Sequence, residues 1–202
     1  MIYTFSCAIL RFLCRVLFPL RLHGTENIPE KGSCIVASNH VSYIDPVVMA
    51  VFVRRPFHFL AKRELLDSKI GWLIRRLRII PVERDALKYS SAKKIIEKIK
   101  EGHLIAIFPE GTRGDGKEFL EPEPGVGYFA LKFKIPVIPV YIKGTDKVLP
   151  KGAYLPKRRR VDVYYGAKMT YAYPAGLTKD RAYKEVANRI MDEIRSMKLK
   201  YG

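Results

Sequence analysis

Cysteine, tryptophan and acidic side chains are scarce in this chain, and the shortages exclude several classes of protein. Three cysteines occur in 202 residues. Cys7, Cys14 and Cys34 form an odd set too small for a disulfide framework, so reduced cytosolic thiols are the simpler expectation. The four histidines, His23, His40, His58 and His103, never cluster with cysteine at ligand spacing, which argues against a structural zinc module. Glycine and proline number 14 and 13, too few for collagen-like or low-complexity sequence. No G-x-S-x-G turn and no neighbouring Cys–His pair is present, so a covalent acyl-enzyme is not indicated. Asp and Glu total 20 against 37 Lys and Arg, a formal charge of +17. Such a surplus points to an anionic partner: nucleic acid, acidic lipid, a phosphorylated substrate or an acidic protein. What is present in quantity is apolar: 48% hydrophobic against 28% charged residues. That is a globular balance, in a chain long enough for one domain with a full core.

The first twenty residues, MIYTFSCAILRFLCRVLFPL, are apolar but interrupted. In a membrane span Arg11 and Arg15 would lie near the bilayer centre, at a cost of about 2.5–3.5 kcal/mol each. On a helix Thr4, Arg11 and Arg15 share one narrow stripe, and the remaining surface is Ile, Leu, Phe, Val and Tyr. A wide apolar face with a basic stripe suits a helix lying in the membrane interface. The same pattern also fits a core-packing helix with a snorkelling Arg pair. A basic leader before a short apolar stretch is missing, so a secretory signal is disfavoured. The chain is therefore divided into an amphipathic membrane-associating segment, 1–22, and a second domain, 23–202.

Beyond it, strands and helices alternate. Ser33–Ala37, Phe57–Ala61, Ile79–Val82, Leu104–Phe108, Val137–Ile142 and Val161–Tyr165 read as strands, the last with period-two character. Asp45-Pro46 can open a helix, with Asp45 as its cap. Ile70–Leu77 and Gly125–Lys134 read as helices. Another starts between Asp85 and Ser91, carries Ala92, Ile95, Ile96 and Ile99, and stops at Gly102. A last helix from about Thr178 to Leu199 has Ala182, Val186, Ile190, Ile194 and Met197 on one face. The alternation predicts an α/β layered domain with a largely parallel sheet flanked by helices. Pro139, inside an apolar strand, suggests an edge or a bulge.

Two loops carry chemistry, each leaving the carboxyl end of an expected strand, where sites gather in such folds. The first runs from Asn39 to Pro46 and contains His40 and Asp45. A turn can bring these two together, the carboxylate accepting from one imidazole nitrogen and leaving the other as a base. Asp45 as a helix cap and His40 bonded to backbone is the plainer alternative, and the two are compatible. A His–Asp pair without its own nucleophile suits activation of a substrate hydroxyl. The second loop is Phe108-Pro109-Glu110-Gly111-Thr112-Arg113-Gly114. Lys157-Arg158-Arg159-Arg160 is a basic run that fits either a solvated loop or a contact with lipid or an anionic donor.

Asn39-His40…Asp45-Pro46 resembles the H-x4-D motif of the glycerophospholipid acyltransferases. Phe108–Arg113 resembles that family's second signature, Ile80-Pro81-Val82-Glu83-Arg84 a segment ending in a phosphate-binding Arg, and Val137-Ile138-Pro139-Val140 a fourth block. Order and spacing agree from about Ser33 to Thr145. The chain departs from the family pattern at Arg78, Gly114 and Glu123-Pro124, in blocks the resemblance assigns to the acceptor. The resemblance is strongest to bacterial enzymes acting on 1-acylglycerol-3-phosphate. It implies transfer of an acyl group from a thioester, acyl-CoA or acyl-acyl carrier protein, to the free hydroxyl of lysophosphatidate. His40 is then the base, Asp45 its orienting partner, and Arg84 and Arg113 hold the phosphate. Glu110 positions Arg113 or a substrate hydroxyl, or caps a turn with Gly111. Gly111 permits close backbone approach, and Thr112 completes the substrate-binding set. No metal or cofactor is implied. The expected place is the cytoplasmic face of the cell membrane, peripheral or monotopic, on anionic lipid. The same chemistry could serve glycerol-3-phosphate or another lysophospholipid. A non-catalytic lipid binder is a further alternative, and so is a basic nucleic-acid-binding module, although no base-reading helix, RNP-like motif or zinc module supports the latter.

Overall fold

The computed structural model describes residues 18–62, 78–82, 89–150, 152–153 and 155–202. The apolar helix expected before residue 18, the helix expected over Ile70–Leu77 and the phosphate-binding Arg84 lie outside the described residues.

Among the described residues seven strands form one sheet: β1 (Leu20–His23), β2 (Cys34–Ser38), β3 (Phe57–Lys62), β4 (Ile79–Val82), β5 (Leu104–Ile107), β6 (Val137–Lys143) and β7 (Val161–Tyr165). Their order is β1-β7-β6-β2-β5-β3-β4. The last five in that order run parallel. β7 pairs antiparallel with β6, and β1 pairs parallel with β7, so these two run against the rest. The sheet is therefore largely parallel, as the alternating pattern predicts, with a reversed edge.

The α-helices among the described residues are α1 (Asp45–Ala50), α2 (Tyr89–Lys100), α3 (Gly125–Phe133), the single turn α4 (Thr145–Val148) and α5 (Lys179–Tyr201). Successive strand residues point to opposite faces of the sheet, so each buried strand feeds two cores. Val36, Leu104, Ala106, Ile138 and Val140 pack with Val48 and Met49 of α1. Ile35, Ala37, Ile105, Ile107 and Val137 pack on the other face with Ile95 and Ile99 of α2, Phe129 and Ala130 of α3, and Ala182, Val186 and Ile190 of α5. That is why β2 and β5 read as uninterrupted apolar runs: helices or packed loops cover both sides. No helix among the described residues is long and apolar enough to cross a membrane.

Three expectations change. Pro139 is not at an edge, because β6 lies between β2 and β7. It is tolerated where the β6–β7 register ends at Val140 and Tyr165, and its carbonyl still accepts from the Gly166 amide at 2.8 Å. A Cβ on Gly166 would stand 2.9 Å from the Pro139 ring, so glycine lets the two segments meet. β7 has strands on both sides and is mostly buried rather than half-exposed. Residues 20–22, grouped in the sequence with the membrane-associating segment, begin β1 and are registered on Val161–Val163.

Candidate active site

β2 and β5 are neighbours in the sheet, so the loops that follow them meet at one end of it. His40 Nδ1 lies 2.8 Å from Asp45 Oδ2. Asp45 is fully buried, whereas His40 keeps a sixth of its side chain exposed (17%), enough to meet a substrate. The same Asp45 oxygen accepts the main-chain amides of Val41 and Ser42, each at 2.7 Å. Hence Asp45 does not cap α1. Ile44 occupies the cap position without a side-chain bond, and the carboxylate instead closes the loop behind it. One oxygen thereby fixes both the imidazole and the chain that carries it. With Nδ1–H directed at the carboxylate, Nε2 keeps its lone pair for a substrate proton. The imidazole stacks on Phe108, ring centres 4.1 Å apart and planes 19° from parallel, which fixes the ring's plane as the hydrogen bond fixes its rotation.

Glu110 ties the second loop to the first. Its Oε1 accepts the His40 amide at 3.0 Å and its Oε2 the Leu120 amide at 2.9 Å. Burial pushes the carboxyl above its usual range, and the Leu120 and His40 amides pull it back. The carboxylate thus braces the main chain at His40, a role that neither sequence alternative for Glu110 described. The Gly111 turn closes through main chain alone, its amide donating to the Phe108 carbonyl at 3.0 Å. Gly111 adopts φ 64°, a left-handed conformation that other residues enter at a cost. Gly114 donates to the His40 carbonyl at 2.8 Å. A Cβ there would press on Glu110 Oε2 at 3.3 Å, which gives a steric reason for the departure from the family pattern at this position.

Arg113 projects from the second loop onto the first. Its guanidinium carbon sits 3.4 Å from the centre of the Tyr43 ring. Thr112 and Gly111 are exposed beside it. At one end of the sheet the chain thus presents an oriented imidazole with a free nitrogen, and a guanidinium on the adjoining loop. Among the described residues no side-chain hydroxyl or thiol hydrogen-bonds His40, which suits proton removal from an acceptor hydroxyl beside an anionic group.

Residues 19–143 match the family described as Acyltransferase. The chain belongs to that family. It is 27% identical over 197 residues to the 1-acyl-sn-glycerol-3-phosphate acyltransferase of Bacillus subtilis, covering 95% of this chain and 96% of that protein. The enzyme of the same name from Borreliella burgdorferi is 32% identical over 131 residues, of which this chain spans about half the length (52%). The crystal structure of the 1-acyl-sn-glycerophosphate acyltransferase from Thermotoga maritima superposes with a TM-score of 0.73 at 24% identity, covering 97% of this chain and 80% of that one. At that identity the likeness speaks for the fold.

Within this acyltransferase, His40, Asp45, Glu110, Gly111, Thr112 and Arg113 lie on two adjoining loops, and Arg84 is outside the described residues. Sequence reasoning missed Tyr43, Asn39 and Ser42. Asn39 extends the β2–β6 ladder by side chain: Nδ2 donates to the Ile142 carbonyl at 3.0 Å and Oδ1 accepts the Ile142 amide at 2.8 Å. Ser42 Oγ donates to the Leu149 carbonyl at 2.8 Å. Their type gave a weak signal, since buried amides and hydroxyls need partners, but those partners are more than a hundred residues away.

Proposed function

We propose that the chain transfers a fatty acyl group from a thioester to the sn-2 hydroxyl of 1-acylglycerol-3-phosphate, forming phosphatidate. The observation that carries this is the 2.8 Å contact between His40 Nδ1 and a buried Asp45 oxygen, with Arg113 on the adjoining loop. His40 Nε2 takes the hydroxyl proton as the oxygen attacks the thioester carbonyl. The new C–O bond forms, the C–S bond breaks, and the imidazolium returns the proton to the departing thiolate. Asp45 stabilises the imidazolium while it exists. Arg113, with Arg84, neutralises the acceptor phosphate, which a guanidinium fork matches in shape. Glu110 keeps the two loops in register, and Gly111 and Thr112 line the approach. The donor, acyl-CoA or acyl-acyl carrier protein, is anionic in either form and suits the +17 charge. The acceptor is a lipid, so the apolar residues that precede β1, as a peripheral or monotopic anchor on the cytoplasmic face of the membrane, would spare the chain extraction of an acyl tail into water, about 0.8 kcal/mol per CH₂.

Purified protein offered lysophosphatidate, glycerol-3-phosphate and lysophospholipids with both donor types, with products identified by mass spectrometry, tests the reaction. Phosphatidate is the expected product. Preference for glycerol-3-phosphate would displace the acceptor assigned here. Loss of general-base catalysis costs about 10²–10⁴ in rate, so His40→Ala should retain lipid binding and lose turnover by that order. Undiminished turnover refutes the base.

A further inference from the structure

We infer that residues 155–159, which lead into β7, form a membrane-docking element, which inserts Leu155 into an anionic leaflet while Lys157, Arg158 and Arg159 engage its phosphates. Leu155 is 81% exposed, and residues 156–160 beside it are all exposed. Arg160 is already engaged, since its Nε and one terminal nitrogen hold the two oxygens of Asp162 at 2.7 and 2.9 Å. Lys157, Arg158 and Arg159 make no ion pair among the described residues. Three unneutralised cations beside an apolar tip are what an anionic lipid surface takes up. A soluble anion such as coenzyme A would give the exposed leucine no place.

The topology places this loop. Because β7 runs against β6, with Lys143 opposite Asp162, its first residue lies at the end of the sheet where β2 and β5 deliver the His40 and Glu110 loops. Ahead of these residues, Ser42 of the His40 loop donates to the Leu149 carbonyl at 2.8 Å. Behind them, the Val161 amide donates to the Pro19 carbonyl at 2.9 Å, so the chain following the apolar first residues enters the domain directly beside Arg160. A leaflet touching residues 155–159 would lie at the rim of the site, where a lipid acceptor could present its hydroxyl to His40. The inference rests on the acyl-transfer reading above for its purpose, though not for its geometry.

The test uses the full chain and sedimentation with two kinds of vesicle, phosphatidylcholine alone and phosphatidylcholine mixed with phosphatidylglycerol. Each cation near an anionic leaflet strengthens binding roughly fivefold. The triple variant Lys157→Gln, Arg158→Gln, Arg159→Gln should therefore bind mixed vesicles up to about a hundredfold more weakly at low salt, and neutral vesicles unchanged. Leu155→Ser should weaken binding to both by about tenfold. All four side chains are exposed, so an unchanged melting temperature confirms that the variants fold. Unaltered binding of either variant to mixed vesicles overturns the inference, as does a triple variant that loses only affinity for coenzyme A. Turnover of a short-chain, water-soluble acceptor is measured in parallel. Its absence in the parent protein defeats the acyl-transfer reading and leaves the vesicle result standing on its own.

Discussion

Asp45 serves the imidazole and the loop's main chain with one oxygen, so its replacement reports on both. Asp45→Asn removes the charge that, in the proposed reaction, stabilises an imidazolium, and can set an amide N–H against the Val41 and Ser42 donors. We expect kcat to fall by about 10²–10⁴ and stability by about 1–3 kcal/mol, measured by turnover and by denaturant titration. A fall in stability with full turnover would leave Asp45 structural only. Tyr43 touches Arg113, and in the proposed reaction would act through it. A ring under a guanidinium at a partly exposed site is worth about 1 kcal/mol. Tyr43→Leu should raise the KM for a phosphate-bearing acceptor about fivefold, leave kcat nearly intact, and be rescued by Tyr43→Phe. An effect confined to kcat would remove the positioning role. The contrast between these residues shows what could be read locally. His40 and Asp45 lie five positions apart in one turn, so their meeting was open to inference. Tyr43 and Arg113 are seventy positions apart, and the aromatic gave no sign of its partner.

Among the elements, the long helix α5 lies closest to α3, and a glycine makes that possible. A Cβ on Gly127 would stand 2.0 Å from the Tyr183 carbonyl oxygen and 3.1 Å from the Ala187 amide nitrogen. Backbone cannot move aside as a flexible side chain can. Gly127→Ala should destabilise the fold by roughly 3 kcal/mol, read as a lower denaturation midpoint at unchanged slope. An unaffected midpoint would mean that the helices separate freely. The helices themselves were plain in the sequence, because an apolar face repeats at helical spacing: Ala182, Val186, Ile190 and Ile194 are all buried. The buried strands were plain for the related reason that β2 and β5 are wholly apolar apart from Ser38. β1 was not. Its four residues, alternately half-buried and exposed, follow an apolar segment and become a strand only because β7 offers an edge.

The whole molecule carries a pH dependence outside the candidate site. His58 is buried, with its ring 4.5 Å from His103. Burial is the main cause that holds its pKa down to about 4, helped by the positive fields of His103, Arg78 and Lys98 and opposed by Glu101. The unfolded chain takes up this proton below about 6.5, the folded chain only near 4. Between those values the unfolded state holds more protons, so stability falls as pH falls. Each pH unit crossed in that window costs at most about 1.4 kcal/mol, so the loss from about pH 7 to about pH 4.5 is roughly 2 kcal/mol. His58→Phe should flatten that part of the stability profile; an unchanged slope would assign it to other groups. His58 and His103 stand together because β3 lies beside β5, with His58 opposite Ile105, an adjacency that depends on strand order. The same division runs through the protein. Apolar strands, amphipathic helices and the pairing of an imidazole with a carboxylate were all legible along the chain, since each depends on residues within a few positions of one another. The reversal of β1 and β7, the bracing of the His40 loop by Glu110, the seat of Arg113 on Tyr43 and the meeting of Pro19 with Val161 exist only once the chain is folded. Those contacts join distant stretches, and local periodicity carries no information about which strands will lie side by side.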